Sequence, residues 1–164
     1  MTGGNNLADS VTVAELVEAI RLDVYSGKDF LDKKNITVSD ISRPGLELTG
    51  YFNFYPHERV QLFGRTEISY AKGSMTSEER QDIYQRMAHE DTPAFVISRG
   101  LPIPQELTNA AKANNIPVLG SALPTSRLLS NMTNFLEGKL AERQSVHGEL
   151  VDIYGLGVLI TGDS

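Results

Sequence analysis

Residues 94–120 read AFVISRGLPIPQELTNAAKANNIPVLG, and this stretch decides the fold class. It opens on one apolar run, residues 94–98, and ends on a second, residues 116–119. Between them lies an apolar stripe at helical spacing, formed by Leu107, Ala110 and Ala111. Strand, helix and strand within about thirty residues is typical of a parallel βαβ unit with a right-handed crossover. We therefore predict an α/β fold in which 94–98 and 116–119 are parallel neighbours and helix 104–114 packs across them.

Elements of the same kind continue on both sides of this unit. Thr12 with Glu15, and Thr76 with Glu79, form capping boxes that predict helices beginning one residue after each threonine. Residues 60–64 are a further buried-strand candidate. From Thr125 the apolar positions keep a 3.6-residue period, which predicts a long helix ending near residues 141–143. These signals predict an N-terminal α/β domain at 11–142, with a parallel βαβ-containing sheet flanked by helices.

The two ends of the chain differ from this domain. Residues 1–10 are rich in Gly and Asn and aperiodic, so we predict a flexible leader. Residues 146–154 and 158–161 have strand character. These two strand candidates follow the predicted long helix, so the character of the chain changes after about residue 143.

Composition excludes several classes of function. The 164 residues include no Cys, which excludes disulfides, cysteine zinc sites and thiol nucleophiles. The formal net charge is -6 and no run of four basic residues occurs, so we expect no nucleic acid partner. The chain has neither a signal peptide pattern nor an apolar stretch of the ~20 residues that span a bilayer. We expect no membrane association and a cytoplasmic location.

Three histidines are available for chemistry. His57 and His89 lie in polar surroundings and are predicted to be surface residues. His147 shares one face of the predicted strand with Ser145, Glu149 and Val151, and spacing alone is also compatible with an ordinary solvated histidine. No two histidines have the sequence spacing of a metal site, so we predict none.

The last residues hold a partial phosphate-binding pattern. The apolar run 158–161 leads directly into Gly162, Asp163 and Ser164, which match the first three positions of the P-loop pattern G-x-x-x-x-G-K-[ST]. Glycine is required there so that backbone N–H groups can approach a phosphate. On spacing alone the signal is weak, and it favours a strand followed by an ordinary polar turn.

Several long stretches resemble one family, the bacterial HPr kinase/phosphorylases. Those that resemble its N-terminal domain are 40–52, 55–64, 97–101, 117–120 and 124–127. Residues 146–148 and 150–164 are similar to the start of its kinase domain, so the resemblance implies that 143–164 begin this second domain. The resemblance runs from about residue 11 to the last residue.

The resemblance implies an enzyme of the sugar phosphotransferase system. Members phosphorylate a serine of the phosphocarrier protein HPr with ATP or pyrophosphate and Mg²⁺, remove that phosphate by phosphorolysis, regulate carbon catabolite repression, and form hexamers. By the resemblance, His147 is the active-site histidine, and Gly162, Asp163 and Ser164 open the P-loop. The P-loop lysine and the catalytic aspartate of the family do not lie within these 164 residues. We therefore expect this chain alone to transfer no phosphate and to hold no nucleotide.

A second interpretation assigns residues 11–142 a role without catalysis. The domain would be a regulatory or assembly module, or would bind a small ligand at the carboxyl ends of its parallel strands. The polar turns at 98–100 and 120–121 follow two predicted strands, so they are the candidate ligand site.

Overall fold

The computed structural model describes the backbone of residues 9–154 and the side chains of residues 9–145. The strands in this range are β1 (Val11–Thr12), β2 (Asp23–Ser26), β3 (Asn35–Ile36), β4 (Ile41–Ser42), β5 (Val60–Phe63), β6 (Phe95–Ile97) and β7 (Val118–Gly120). The α-helices are α1 (Val13–Ile20), α2 (Arg65–Ser74), α3 (Ser77–Met87), α4 (Gln105–Ala113) and α5 (Thr125–Tyr154). Short 3₁₀ helices cover Lys28–Phe30 and Glu47–Thr49.

The main sheet has five strands in the order β2-β7-β6-β5-β4. β4, β5, β6 and β7 are parallel, and β2 pairs antiparallel with β7 at one edge. Phe95 pairs with Val118 and Ile97 with Gly120, with α4 as the connection between their strands. The predicted α/β class and the parallel pairing of 94–98 with 116–119 are therefore confirmed.

Alternation along the central strands divides the core into two layers. Phe63, Phe95, Ile97 and Val118 belong to a cluster that α2, α3 and α4 cover. Their neighbours on the opposite face belong to a second cluster, covered by α1 and α5: Val60, Leu62, Val96 and Leu119. Because strand side chains alternate between faces, one apolar run in each central strand supplies both layers.

A small second sheet holds the N-terminal part of the fold in place. β1 pairs antiparallel with β3, and Thr12 then caps α1 through the predicted box with Glu15. Ser10, the last residue of the predicted leader, is buried, and its hydroxyl donates to the Asn35 side-chain carbonyl at 3.2 Å. Order therefore extends further towards the N-terminus than the sequence predicts, while residues 1–8 lie outside the described part.

The prediction of a strand at 146–154 is wrong, because α5 continues without a break to Tyr154. No proline occurs between residues 125 and 154, and apolar residues recur at 136, 140, 146, 150 and 153, which continues the helical period. The predicted second strand, 158–161, lies outside the described residues. Among the helices formed by residues 9–154, none is long and apolar enough to cross a membrane.

Candidate functional site

The carboxyl ends of the parallel strands meet at one edge of the sheet, where the sequence places a candidate ligand site. The structure brings the two polar turns of that site together. The N–H of Gly100 donates to the carbonyl of Ser121, and the N–H of Arg99 to that of Leu123, both at 2.9 Å. Arg99 and Gly100 have φ of 62° and 63°, the left-handed conformation that this tight turn requires. Backbone groups of the two turns therefore bind each other.

The start of α2 lies at the same edge and carries its own anion. The Glu67 carboxylate accepts the N–H of Gly64 at 2.7 Å and the guanidinium of Arg43 at 2.9 Å. Glu67 is buried, and a Cβ on Gly64 would lie 2.8 Å from the Arg43 guanidinium. A helix N-terminus next to glycine is where proteins often bind phosphate. Here the carboxylate of Glu67 fills that position.

A second buried contact joins the end of β6 to the start of α5. The hydroxyls of Ser98 and Thr125 lie 2.6 Å apart, and both residues are buried. Thr125 also limits the space beside Gly64, since its Oγ1 would lie 2.9 Å from a Cβ there. The carboxyl edge is thus occupied by the protein's own groups, which weakens the interpretation of these turns as a small-ligand site.

A cleft of about 360 Å³ lies beside this edge, a volume within the range of small-molecule sites. Its lining includes the charged residues Lys72, Arg80 and Glu106, of which Arg80 and Glu106 pair at 3.2 Å. The hydroxyl of Ser77 donates to Glu106 at 2.7 Å, and this bond, together with Arg80, lowers the pKa of the Glu106 carboxyl. Arg80 and Glu106 are thus already bound to each other. The rest of the lining is mostly apolar and includes Ile68, Leu101 and Ile103. No sequence pattern indicates this cleft, because its lining comes from α2, α3, the loop before α4 and the first turn of α4.

The residues assigned by family resemblance lie at the C-terminal end. His147 is in α5, so it does not share a strand face with Ser145 and Glu149. Residues two apart on a helix point in different directions, which removes that argument for a common face. The side chain of His147, and Gly162, Asp163 and Ser164 altogether, lie outside the described residues, so their proposed roles stay predictions.

The other two histidines are brought together at the opposite, amino end of the sheet. His57 Nδ1 and His89 Nδ1 lie 2.7 and 2.8 Å from the same oxygen, Asp91 Oδ1. Sequence spacing does not indicate this cluster, because 34 positions separate His57 from Asp91. His57 and His89 are partly exposed, as predicted, but they are not isolated surface residues.

Comparison with known proteins gives a consistent result over nearly the whole chain. Residues 11–136 match the family model described as HPr Serine kinase N terminus. The chain is 73% identical over 158 residues to an HPr kinase/phosphorylase of Pediococcus pentosaceus and 67% identical over 158 residues to one of Lacticaseibacillus casei. One of Lactobacillus johnsonii is 54% identical over 159 residues.

These matches include 96% of this chain but only 49–51% of each relative. The chain therefore spans about half the length of the curated relatives it matches. The family model covers most of the α/β domain, from β1 into α5. On this evidence the chain belongs to the family of HPr serine kinase N-terminal domains.

Proposed function

We propose that this chain is the N-terminal part of a bifunctional, cytoplasmic HPr serine kinase and phosphorylase that regulates carbon catabolite repression and sugar uptake. The observation that carries the proposal is 73% identity, over 96% of the chain, to a protein named HPr kinase/phosphorylase. ATP or pyrophosphate would supply the phosphoryl group, and a serine of HPr would receive it. In the reverse direction, inorganic phosphate would take the group back from phosphoserine.

Gly162, Asp163 and Ser164 are the residues of this chain that we assign to the nucleotide. Their small or polar side chains suit a loop whose backbone N–H groups point at phosphate oxygens. Mg²⁺, when bound, offsets negative charge on the phosphates. The start of α2 does not fit the same role, because Glu67 already occupies it.

Side-chain contacts hold α5, the helix that leads to the C-terminal residues, against the described domain. Leu128, Met132, Leu136 and Leu140 bury one side of α5 against the sheet. Further along, Arg143 binds the Glu15 carboxylate at 2.8 Å and the Ser10 carbonyl at 2.7 Å. From Arg143 the helix continues eleven residues to Tyr154, about 16 Å at 1.5 Å per residue. We propose that α5 connects the two domains and carries His147 towards the phosphate site.

The test compares the complete gene product with this 164-residue chain. The complete protein is expected to phosphorylate HPr with ATP and to dephosphorylate it with inorganic phosphate, while the 164 residues alone do neither. Replacing His147 by Ala in the complete protein should lower both rates by about 10²–10⁴-fold, as for a positioned proton-transfer or hydrogen-bonding group. Replacing Asn131 by Ala, an exposed position on α5, is the matched control and should leave both rates unchanged.

Two results would contradict this proposal in different ways. A complete protein that leaves HPr unmodified would overturn the activity. Wild-type rates in a normally folded His147→Ala protein would overturn only the role of the histidine.

One observation favours a second role, assembly with further copies of the chain. Three large apolar side chains within residues 46–54 are exposed: Leu46 by 64%, Tyr51 by 44% and Phe54 by 83%. Apolar groups of this size are enriched at protein–protein contacts. We propose that this segment contributes to the hexamer. Sedimentation of the complete protein with Leu46→Ser and Phe54→Ser together should show smaller species, and an unchanged hexamer would overturn the assignment.

A further inference from the structure

The cluster of His57, His89 and Asp91 has the donor set of a metal site. One potential ligand atom from each residue lies within 4.8 Å of the other two. The two imidazole rings stack with centroids 4.0 Å apart and an interplanar angle of 17°. Both Nδ1 atoms also lie close to Asp91 Oδ1, at 2.7 and 2.8 Å. Two ring nitrogens and one carboxylate oxygen are therefore close neighbours.

The geometry points to a site for a divalent transition-metal ion, of which Zn²⁺ is the representative, at the amino end of the sheet. Imidazole nitrogen and carboxylate oxygen are ordinary zinc ligands, whereas Mg²⁺ prefers oxygen alone. Three protein ligands would leave the fourth tetrahedral position to water. This site uses none of the residues assigned to the nucleotide above and does not depend on that function.

A rotation of the side chains would admit the ion, because a metal lies in the plane of each imidazole that binds it and the two stacked rings are nearly parallel. Ligand atoms about 2.0–2.1 Å from a tetrahedral zinc lie about 3.3 Å from one another. The nitrogen–oxygen distances of 2.7 and 2.8 Å would therefore open by about half an ångström. The side chains of His57, His89 and Asp91 are 38%, 50% and 50% exposed, so they are free to turn and an ion can reach them from solution.

Metal binding also requires a different placement of the ring hydrogens. Without an ion, each Nδ1 donates its hydrogen to the shared carboxylate oxygen. A neutral imidazole can instead carry its hydrogen on Nε2, which leaves the Nδ1 lone pair free to bind a metal. Binding therefore requires that each ring carry its hydrogen on Nε2 and none on Nδ1.

The backbone around the cluster is held in place from several directions. Thr92 donates its hydroxyl to the His57 carbonyl at 2.7 Å, which links the loop before β5 to the loop before β6. Within the second loop, the N–H of Thr92 donates to the His89 carbonyl at 3.0 Å. Lys34 binds the carbonyl of Glu90 at 2.7 Å from the other side. The three ligands are thus brought together before any ion arrives, which reduces the ordering cost of binding.

Calorimetric titration of the untagged 164-residue chain with ZnCl₂ tests the proposal. We expect saturable binding of one ion per chain, and a visible absorption spectrum of tetrahedral coordination when Co²⁺ replaces Zn²⁺. Loss of partners that merely orient metal ligands weakens affinity by 10–100-fold, so loss of a direct ligand should cost at least about 100-fold. His57→Ala, His89→Ala and Asp91→Asn are each expected to show that loss. Asp23→Asn, an exposed carboxylate on β2, is the control and should bind as the wild type does.

A thermal readout separates binding from damage to the fold. Zn²⁺ should raise the melting temperature of the wild type and of Asp23→Asn, EDTA should reverse that rise, and the three cluster variants should show no rise. In EDTA all five proteins should melt together, because the cluster is partly exposed. Absence of saturable binding in the wild type would overturn the proposal, and so would wild-type affinity in the cluster variants.

Discussion

Glu67 at the carboxyl end of the sheet and Asp91 at the amino end each accept hydrogen bonds from two partners, but their surroundings differ. The Glu67 side chain is 7% exposed and binds Arg43 and the N–H of Gly64. The Asp91 side chain is 50% exposed and meets the rings of His57 and His89. A buried carboxylate whose hydrogen-bond partners all belong to the protein stabilises the fold and leaves no room for a ligand. A half-exposed carboxylate beside two imidazoles contributes little to the stability of the fold and remains available to a ligand.

The largest expected effect comes from removing the buried carboxylate. Glu67→Ala leaves the N–H of Gly64 without its acceptor and removes the partner of Arg43. We expect the free energy of unfolding to fall by about 2–4 kcal/mol, less than for a fully buried pair because Arg43 can turn to water. Urea denaturation measures the loss. The control is Glu78→Ala, an exposed glutamate in the first turn of α3, with an expected change within about 0.5 kcal/mol. Equal losses in both variants would show that the carboxyl end is no more constrained than the surface.

Two glycine substitutions probe how tightly the same edge is packed. In Gly64→Ala the new Cβ would lie 2.8 Å from the Arg43 guanidinium and 2.9 Å from Thr125 Oγ1, so we expect a loss of about 1–3 kcal/mol. In Gly138→Ala the Cβ meets nothing within 4 Å on an exposed part of α5, so we expect a gain of about 0.5–1 kcal/mol. Opposite signs in urea denaturation are the expected result. An unchanged free energy of unfolding in Gly64→Ala would mean that Arg43 and Thr125 can move aside at this edge.

Local signals account for most of the fold that could be predicted from the sequence. The capping boxes at Thr12 and Thr76 determine where α1 and α3 begin, because both need only residues three apart. The apolar runs identify β5, β6 and β7 because central parallel strands are buried on both faces. β1 and β4 are two residues long and depend on their partners in the sheets, so no local pattern indicates them.

The errors have physical causes as well. Apolar residues at 146, 150 and 153 lie at helical spacing and no proline interrupts 146–154, so α5 continues through Gly148. The histidine cluster depends on contacts between two loops that are far apart in sequence. No spacing rule indicates such a site, although a His-x-Asp segment, His89 to Asp91, was visible as two potential ligands on one loop.

A smaller effect is expected where α1 meets α5. Partial burial pushes the pKa of the Glu15 carboxyl upward, but hydrogen bonds from Arg143 and Thr12 outweigh it, so the pKa lies below its ordinary 4.5. A lowered pKa in the folded state means that this stabilisation is present above about pH 4.5 and is lost as the pH falls through the lower value. Arg143→Met should therefore cost about 0.5–1 kcal/mol at neutral pH. Unfolding measured from pH 7 down to pH 3 should show the difference from wild type shrinking, and a difference that stays constant would contradict the link to Glu15.

The smallest expected effect lies at the amino end and completes the comparison. His89→Ala in the presence of EDTA removes one ring from the stacked pair and one partner from Asp91. Both side chains are half exposed, so water replaces the lost contact, and we expect a change in unfolding free energy within about 0.5 kcal/mol.

Thr92→Val is the variant to compare with His89→Ala. The buried Thr92 hydroxyl donates to the His57 carbonyl at 2.7 Å, and its loss should lower the free energy of unfolding by about 1–2 kcal/mol. A larger loss in Thr92→Val than in His89→Ala would show that the hydrogen bond to the backbone stabilises the fold and that the imidazole does not. A loss in His89→Ala as large as that in Glu67→Ala would mean that both ends of the sheet are closed networks, and the contrast between them would fail.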